Sequence, residues 1–142
     1  MRYINLLFTA CAITCFSLGY AKDNNYRPAA IESRHGQKVE QLSDSNFSDK
    51  ISKGFTIVDF YADWCAPCRR LGPTFNNVAN DLQGSLAFYK ANIDTCPASR
   101  SANNVKSIPT IILFRNGHEV SRLSGEVDEA ALKQFITSGM GR

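Results

Sequence analysis

Residues 55–62 form a nearly continuous run of apolar, β-forming side chains, and a pair of cysteines follows it closely. Such a run without polar alternation is typical of a strand that is buried on both faces of a sheet. Apolar residues at helical spacing begin near Cys65 and continue to Gly84, and Pro73 within this stretch predicts a kink. The pattern therefore predicts a buried strand that leads directly into a helix, with Cys65 and Cys68 at the helix start.

Shorter patterns predict further elements on either side of this junction. A short strand is expected at 38–42, and Ser43 is expected to cap an amphipathic helix that ends at Gly54. Asn116 and Gly117 are a strong hairpin signal. The other expected elements are strands at 86–93, 110–114 and 118–123, a short helix at 97–104 and a last helix capped by Asp128. This order predicts an α/β fold, with a central mixed β-sheet flanked by helices on both faces.

The first 21 residues have the three parts of a secretory signal peptide. Arg2 precedes an apolar run, and small residues stand before the expected cleavage point after Ala21. An uncleaved membrane anchor is the alternative, although polar residues make this stretch a weak span. We therefore expect a signal peptide at 1–21, a flexible lead-in at 22–36 and one domain at 37–142, with export to the bacterial periplasm or the medium.

Charge and cysteine content exclude several classes of protein. The 16 basic and 13 acidic side chains leave a net charge of +3 without a long basic run, so no nucleic-acid partner is expected. Five cysteines in 142 residues are too few for a disulfide-stapled scaffold. Cleavage after Ala21 would remove two of them and leave Cys65, Cys68 and Cys96 in an oxidising compartment.

The C-x-x-C spacing at a helix start favours redox chemistry. Unpaired backbone N–H groups and the helix dipole should stabilise the Cys65 thiolate and lower its pKa, which makes Cys65 the nucleophile. Cys68 lies one turn further on the same face and is expected to be more buried, as the resolving thiol. Pro67 is tolerated because it falls in the first turn.

A zinc site and a structural disulfide are the alternatives to a redox pair. Zinc requires four ligands, and Cys96, His35 and His118 form no second close pair. A disulfide across four residues closes too small a loop to stabilise the fold much. Cys96 itself is interpreted as a small, semi-buried residue, with a regulatory or dimerising thiol as the alternative.

Asp59 is the one acid within the buried apolar run. Burial penalises a carboxylate and raises its pKa, which suits a group that holds or releases a proton near neutral pH. A structural aspartate with satisfied hydrogen bonds is the alternative.

The segment VDFYADWCAPCRRLGP, with SIPT and LFRNG downstream, resembles the thioredoxin family over nearly all of residues 37–142. The resemblance implies that Asp59 moves a proton to or from the resolving thiol and that Lys90 is its partner. It also implies that Ile108 and Pro109 form a cis-proline loop beside the disulfide, which pairs with substrate backbone and discourages metal binding.

The resemblance further implies a docking surface around the cysteines, formed by Trp64, the central pair Ala66 and Pro67, and Gly125. Three positions depart from the family pattern. Glu126 stands where a small residue is common, Ala66 replaces the common glycine, and Tyr61 replaces a frequent tryptophan.

The resemblance implies a thiol-disulfide oxidoreductase that reduces protein disulfides through a Cys65 and Cys68 dithiol cycle. No bound cofactor and no metal are expected. The expected partners are proteins with disulfides and an upstream thiol electron donor, and a membrane only if the signal segment is uncleaved. An exported oxidase or isomerase of the same fold is the first alternative. A noncatalytic binding module is the second, and the intact cysteine pair argues against it.

Overall fold

The computed structural model describes residues 39–141 and contains, within them, five strands and four helices in the expected order. The predicted signal peptide, the predicted lead-in, residues 37–38 and residue 142 lie outside the described residues. The strands are β1 (Glu40–Gln41), β2 (Phe55–Tyr61), β3 (Ala87–Asn92), β4 (Thr110–Arg115) and β5 (His118–Ser124), and the helices are α1 (Phe47–Ile51), α2 (Ala66–Asp81), α3 (Pro97–Ala102) and α4 (Glu129–Met140).

The strands form one mixed sheet in the order β1-β3-β2-β4-β5, so β2 is its central strand. β2 pairs with β3 in parallel and with β4 in antiparallel orientation. The middle five residues of β2 are buried. The predicted mixed sheet and its doubly buried strand are therefore confirmed, because an apolar run can satisfy its backbone in the sheet and bury alternate side chains on both faces.

Alternate residues of β2 pack into two separate hydrophobic cores, one on each face of the sheet. Phe60 packs in the core that contains α1, where its ring lies 5.7 Å from that of Phe47. Ile57 packs in the core that contains α2 and α4. Since strand residues two apart share a face, Asp59 points to the same side as Ile57, toward α2.

The first helix begins later and ends earlier than the sequence pattern predicts. Ser43 does not cap it, because residues 43–46 form a turn in which the Ser43 N–H donates to the Asn46 side chain at 2.8 Å. Asn46 precedes the helix, and its side chain makes no capping hydrogen bond. The prediction of a Ser43 cap was therefore wrong: a local side-chain to backbone bond competes with the helix at this point.

The predicted hairpin and the predicted last cap are both confirmed. Asn116 and Gly117 have φ angles of 50° and 82°, the left-handed pair that a tight hairpin with matching strand twist requires. The Asp128 side chain accepts a hydrogen bond from the Ala131 N–H at 2.8 Å, as an N-cap should. Within residues 39–141 no helix has both the length and the apolar character that crossing a bilayer requires, and the longest, α2, has 16 residues.

Candidate active site

Cys65 and Cys68 are joined by a disulfide at the amino end of α2, with their Cα atoms 5.3 Å apart. Cys65 is the N-cap residue, in an extended conformation, and its Sγ accepts a hydrogen bond from the Cys68 N–H at 3.2 Å. Pro67 lies in the first turn, where no N–H is needed. The helix therefore presents a backbone donor to the sulfur that the sequence predicts as the nucleophile.

Both cysteines are buried in the disulfide form. Cys65 is 5% exposed and Cys68 is 4% exposed. Cys68 is the more buried of the two, as expected, but the difference in exposure is too small to separate their roles. Hydrogen bonding distinguishes them instead: Cys65 Sγ faces the Cys68 N–H and lies 3.9 Å from the carbonyl oxygen of Ile108.

The segment that precedes β4 lies beside the disulfide. The peptide bond between Ile108 and Pro109 is cis, as the family resemblance implies. The Pro109 carbonyl accepts a hydrogen bond from the Gly125 N–H at 2.9 Å. Gly125 has φ 94°, a conformation that favours glycine. The structure thus brings Ile108, Pro109 and Gly125 together next to the cysteine pair.

Trp64, immediately before the disulfide, is the large apolar side chain that residues 39–141 expose most, at 66%. Its indole N–H donates to Asp94 Oδ2 at 2.9 Å. Sequence reasoning missed this contact, because Asp94 lies after β3 and only the sheet order brings it beside the end of β2. An exposed indole held by a hydrogen bond offers a preorganised apolar contact to a partner.

Glu126, the residue after Gly125, forms an ion pair with Arg70 of α2. Arg70 Nη2 and Nε both lie 2.7 Å from Glu126 Oε2. The sequence singled out Glu126 but not Arg70, which lies on α2 two residues after Cys68. Both side chains are well exposed, so the pair contributes little to stability.

Asp59 is 1% exposed, and burial raises its pKa to about 7, while the charge of Lys90 acts in the opposite direction. This confirms the predicted rise. In the strand register Asp59 lies opposite Lys90 on β3 and Ile111 on β4. Within residues 39–141, Asp59 Oδ1 is buried with no hydrogen-bond partner. The alternative, a structural Asp59 whose hydrogen bonds are all satisfied, is therefore wrong.

Lys90 lies near two aromatic rings that the sequence analysis did not connect with it, those of Tyr61 and Phe75. The rings come from β2 and α2, and nothing in the local sequence pattern places them around a residue of β3.

Cys96 is completely buried rather than semi-buried, and it precedes α3. Its Sγ donates to the Leu42 carbonyl at 3.1 Å. Burial raises the pKa of the Cys96 thiol, and a hydrogen bond with Thr95 opposes this rise. A raised pKa and a sulfur that donates its proton to a carbonyl both favour the unreactive thiol form, so the structure favours a packing role for Cys96.

His118 is exposed in β5, whereas His35 lies outside the described residues. Within residues 39–141, no three His, Cys, Asp or Glu side chains are grouped so as to hold a metal ion.

Comparison with known proteins identifies the same chemistry. A family model described as thioredoxin matches residues 38–138. The chain is 38% identical over 99 residues to the thioredoxin of Chlamydia trachomatis serovar D, which covers 70% of this chain and 96% of that protein. It is 41% identical over 100 residues to a Chlamydia pneumoniae thioredoxin, covering 70% and 93%. A chloroplastic M-type thioredoxin of Spinacia oleracea is 29% identical over 127 residues, covering 84% and 69%.

Asp59→Asn is expected to change how stability depends on pH. Folding raises the pKa of Asp59 from 3.8 to about 7. Between these values the folded state binds a proton that the unfolded chain has lost, so the unfolding free energy falls as pH rises. The full loss is on the order of 4 kcal/mol and is complete above about pH 7.

Asparagine cannot ionise, so the variant should resemble wild type near about pH 4 and be the more stable protein near about pH 8. Urea unfolding of the oxidised protein across this range measures the difference. Asp49→Asn removes an exposed acid and should retain the wild-type pH dependence. Parallel pH profiles for wild type and Asp59→Asn would contradict the raised pKa.

Proposed function

The chain belongs to the thioredoxin family and is a thiol-disulfide oxidoreductase, and we propose that it acts as an exported reductant of protein disulfides. The observation that carries this proposal is the Cys65–Cys68 disulfide at the amino end of α2, where the Cys68 N–H faces Cys65 Sγ. A backbone donor at this point favours the thiolate over the thiol, and the thiolate is the nucleophile in disulfide exchange.

The reaction begins from the reduced dithiol. The Cys65 thiolate attacks one sulfur of a substrate disulfide, whose S–S bond breaks, and the departing substrate sulfur takes up a proton. The product is a mixed disulfide between Cys65 and the substrate. Cys68 then loses its proton and attacks Cys65 Sγ, which releases the second substrate thiol and forms the Cys65–Cys68 disulfide. Two electrons pass to the substrate, and an upstream thiol donor restores the dithiol.

Asp59 is proposed as the acceptor of the Cys68 proton. A carboxyl group with a pKa of about 7 is close to half ionised at neutral pH, so it can take up and release a proton at little free-energy cost. Its buried Oδ1, which no hydrogen bond within residues 39–141 satisfies, is free to accept that proton. Lys90 opposes the effect of burial and is proposed to keep part of the Asp59 population ionised.

The substrate is proposed to lie across the surface beside the disulfide. The Ile108 carbonyl, 3.9 Å from Cys65 Sγ, is positioned to pair with an extended peptide backbone. Pro109 and Gly125 support this loop through their hydrogen bond. The surface also includes the exposed Trp64 and the central pair, Ala66 and Pro67.

Reduction is proposed as the direction because the site adds little stabilisation to the Cys65 thiolate. The central pair supplies no cation and no side-chain donor, and the Arg69 guanidinium donates to the Asp63 carbonyl at 3.0 Å. Strong oxidants of this fold stabilise the reduced form, and about 150 mV separates them from thioredoxin, which corresponds to roughly 7 kcal/mol. Replacing one central glycine by alanine is too small a change to supply that energy.

Export is proposed from the first 21 residues, with their charged start, apolar middle and small residues before Lys22. The structure adds one supporting fact. The unpaired cysteine among residues 39–141, Cys96, is fully buried, so a chain cleaved after Ala21 has no exposed free thiol there to oxidise.

We expect Cys65→Ser to abolish insulin reduction and Cys68→Ser to accumulate mixed disulfides through Cys65, because only the resolving thiol ends that intermediate. Non-reducing gels and mass mapping identify the trapped cysteine. Cys96→Ser is the matched control and should leave the rate nearly unchanged, since this thiol is buried. Mixed disulfides trapped through Cys68 instead would reverse the two roles. A more than about tenfold loss of rate with Cys96→Ser would contradict the packing role of Cys96.

The redox potential of the domain should lie near the thioredoxin value of about −270 mV. Equilibration of the purified mature domain with glutathione buffers, followed by thiol alkylation, measures it. A redox potential above about −180 mV would contradict the proposed reductase and favour an oxidase or isomerase of the same fold.

The full chain expressed in a Gram-negative bacterium should be recovered from the periplasm with Lys22 as its first residue. Amino-terminal sequencing after osmotic shock tests this. Ala21→Phe places a bulky side chain at the cleavage point and should leave the precursor in the membrane fraction. If the wild-type protein is found in the membrane with residues 1–21 still attached, this segment is an uncleaved anchor. If the wild-type protein is found in the cytosol, the proposal of export is wrong.

A further inference from the structure

The ammonium group of Lys90 lies between two aromatic rings on the α2 side of the sheet. Its Nζ is 5.9 Å from the centre of the Tyr61 ring and 5.7 Å from the centre of the Phe75 ring. Both distances are within the range, about 6 Å, at which the face of an aromatic ring attracts a cation. Tyr61 ends β2 and Phe75 belongs to α2, so the two rings approach Lys90 from different elements.

The backbone of α2 lies on a third side of this ammonium group. A Cβ atom added to Gly72 would lie 3.7 Å from Lys90 Nζ, which is ordinary van der Waals contact. Gly72 follows Cys68 by four residues, and residues at this spacing share one face of a helix, one turn apart. The cation therefore lies one turn of α2 away from the proposed resolving cysteine.

Lys90 also lies opposite Asp59 in the parallel register of β2 and β3. Register partners direct their side chains to the same face of a sheet. The Asp59 carboxyl is buried, and its Oδ1 has no hydrogen-bond partner within residues 39–141, so a nearby charge is its main compensation there. Lys90 is only half-buried, and a long lysine side chain otherwise extends its ammonium group to water.

We infer that Tyr61 and Phe75 are positioning residues, which hold the Lys90 ammonium beside Asp59 and thereby set the proton affinity of that carboxyl group. The inference rests on the proposed role of Asp59 as the proton acceptor. When Cys68 attacks Cys65 Sγ, its proton passes to the Asp59 carboxylate and a Cys65–Cys68 bond forms. The bond between Cys65 Sγ and the substrate sulfur breaks, and the substrate sulfur leaves with that electron pair and takes up a proton from water. A cation held close keeps the carboxylate ionised until that step.

The other ionisable groups on the surrounding elements are few. β2 contributes Tyr61 itself, whose pKa is raised by burial and by the charge of Asp63. α2 contributes Cys65 and Cys68, which form the disulfide in the oxidised protein. Its charged side chains, Arg69, Arg70 and Asp81, are exposed, and the last two pair with Glu126 and Lys133. β4 places the apolar Ile111 opposite Asp59. Lys90 is the charge that acts on the Asp59 carboxyl, so titration of the oxidised protein, whose active-site cysteines carry no proton, follows this pair.

The test follows the Asp59 carboxyl by carbon-13 NMR as the oxidised protein is titrated. Tyr61→Leu removes the ring and frees Lys90 to extend into water, so the Asp59 midpoint should rise by about half a pH unit, a roughly threefold change in the ionisation equilibrium. Tyr61→Phe keeps the ring and is the matched control, with an unchanged midpoint. Lys90→Met removes the cation and should give the largest rise.

A double variant separates positioning from a change in hydration. With Lys90→Met already present, Tyr61→Leu should cause no further rise, because no cation remains to be positioned. Water admitted by the missing ring would lower the midpoint instead, which is the opposite sign. An unchanged midpoint in Tyr61→Leu alone, or an equal rise in the Lys90→Met background, would overturn the inference.

Phe75→Leu is the second variant, and it should also raise the midpoint only when Lys90 is present. Because Phe75 is fully buried, far-ultraviolet circular dichroism must first confirm that this variant folds. Its rise should be absent in the combination Phe75→Leu with Lys90→Met. A rise of the same size in that combination would count against positioning by this ring.

The rate of insulin reduction by the Asp59→Asn variant tests the proposed function separately from this inference. If turnover across neutral pH is unchanged in Asp59→Asn, the proposed proton acceptor fails, whatever the midpoints show. If Asp59→Asn slows turnover but Tyr61→Leu leaves the midpoint unchanged, only the positioning role fails.

Discussion

β2 lies between β3 and β4 at the centre of the sheet, and helices cover its middle five residues on both faces. Because such a strand has no freedom to shift without exposing its side chains, the point where it ends is held firmly. Four residues after the end of β2, Cys65 caps α2, and the Cys68 N–H donates to its sulfur. The reactive sulfur is thus positioned by a rigid core, while the partner surface around it stays open.

The same burial acts on the one acid of β2. Water is excluded from Asp59, which raises its pKa to about 7 and makes its ionised form destabilising to the fold. A protein selected for stability alone would place an apolar side chain there. The Lys90 cation offsets part of the effect from the neighbouring strand. Burial of Asp59 thus lowers the stability of the fold at neutral pH, and the same burial gives an acid that exchanges its proton there.

Features that depend on neighbours along the chain could be predicted from the sequence. The order of strands and helices follows from the period of the apolar residues, and the hairpin at Asn116 and Gly117 follows from their tolerance of positive φ. The place of Cys65 at a helix start and the raised pKa of Asp59 follow from the apolar run itself. Here the amino-acid sequence determined the element order, the reactive pair and the buried acid.

Only the tertiary structure decided which residues from distant segments meet. The family resemblance already implied Lys90 as the partner of Asp59, and the structure supplied their strand register and placed the rings of Tyr61 and Phe75 near the Lys90 ammonium group. It also paired Glu126 with an arginine of α2. These contacts depend on strand order and register, which arise from the packing of the whole core. A local pattern of apolar residues specifies the face that a side chain occupies but not its neighbour across the sheet.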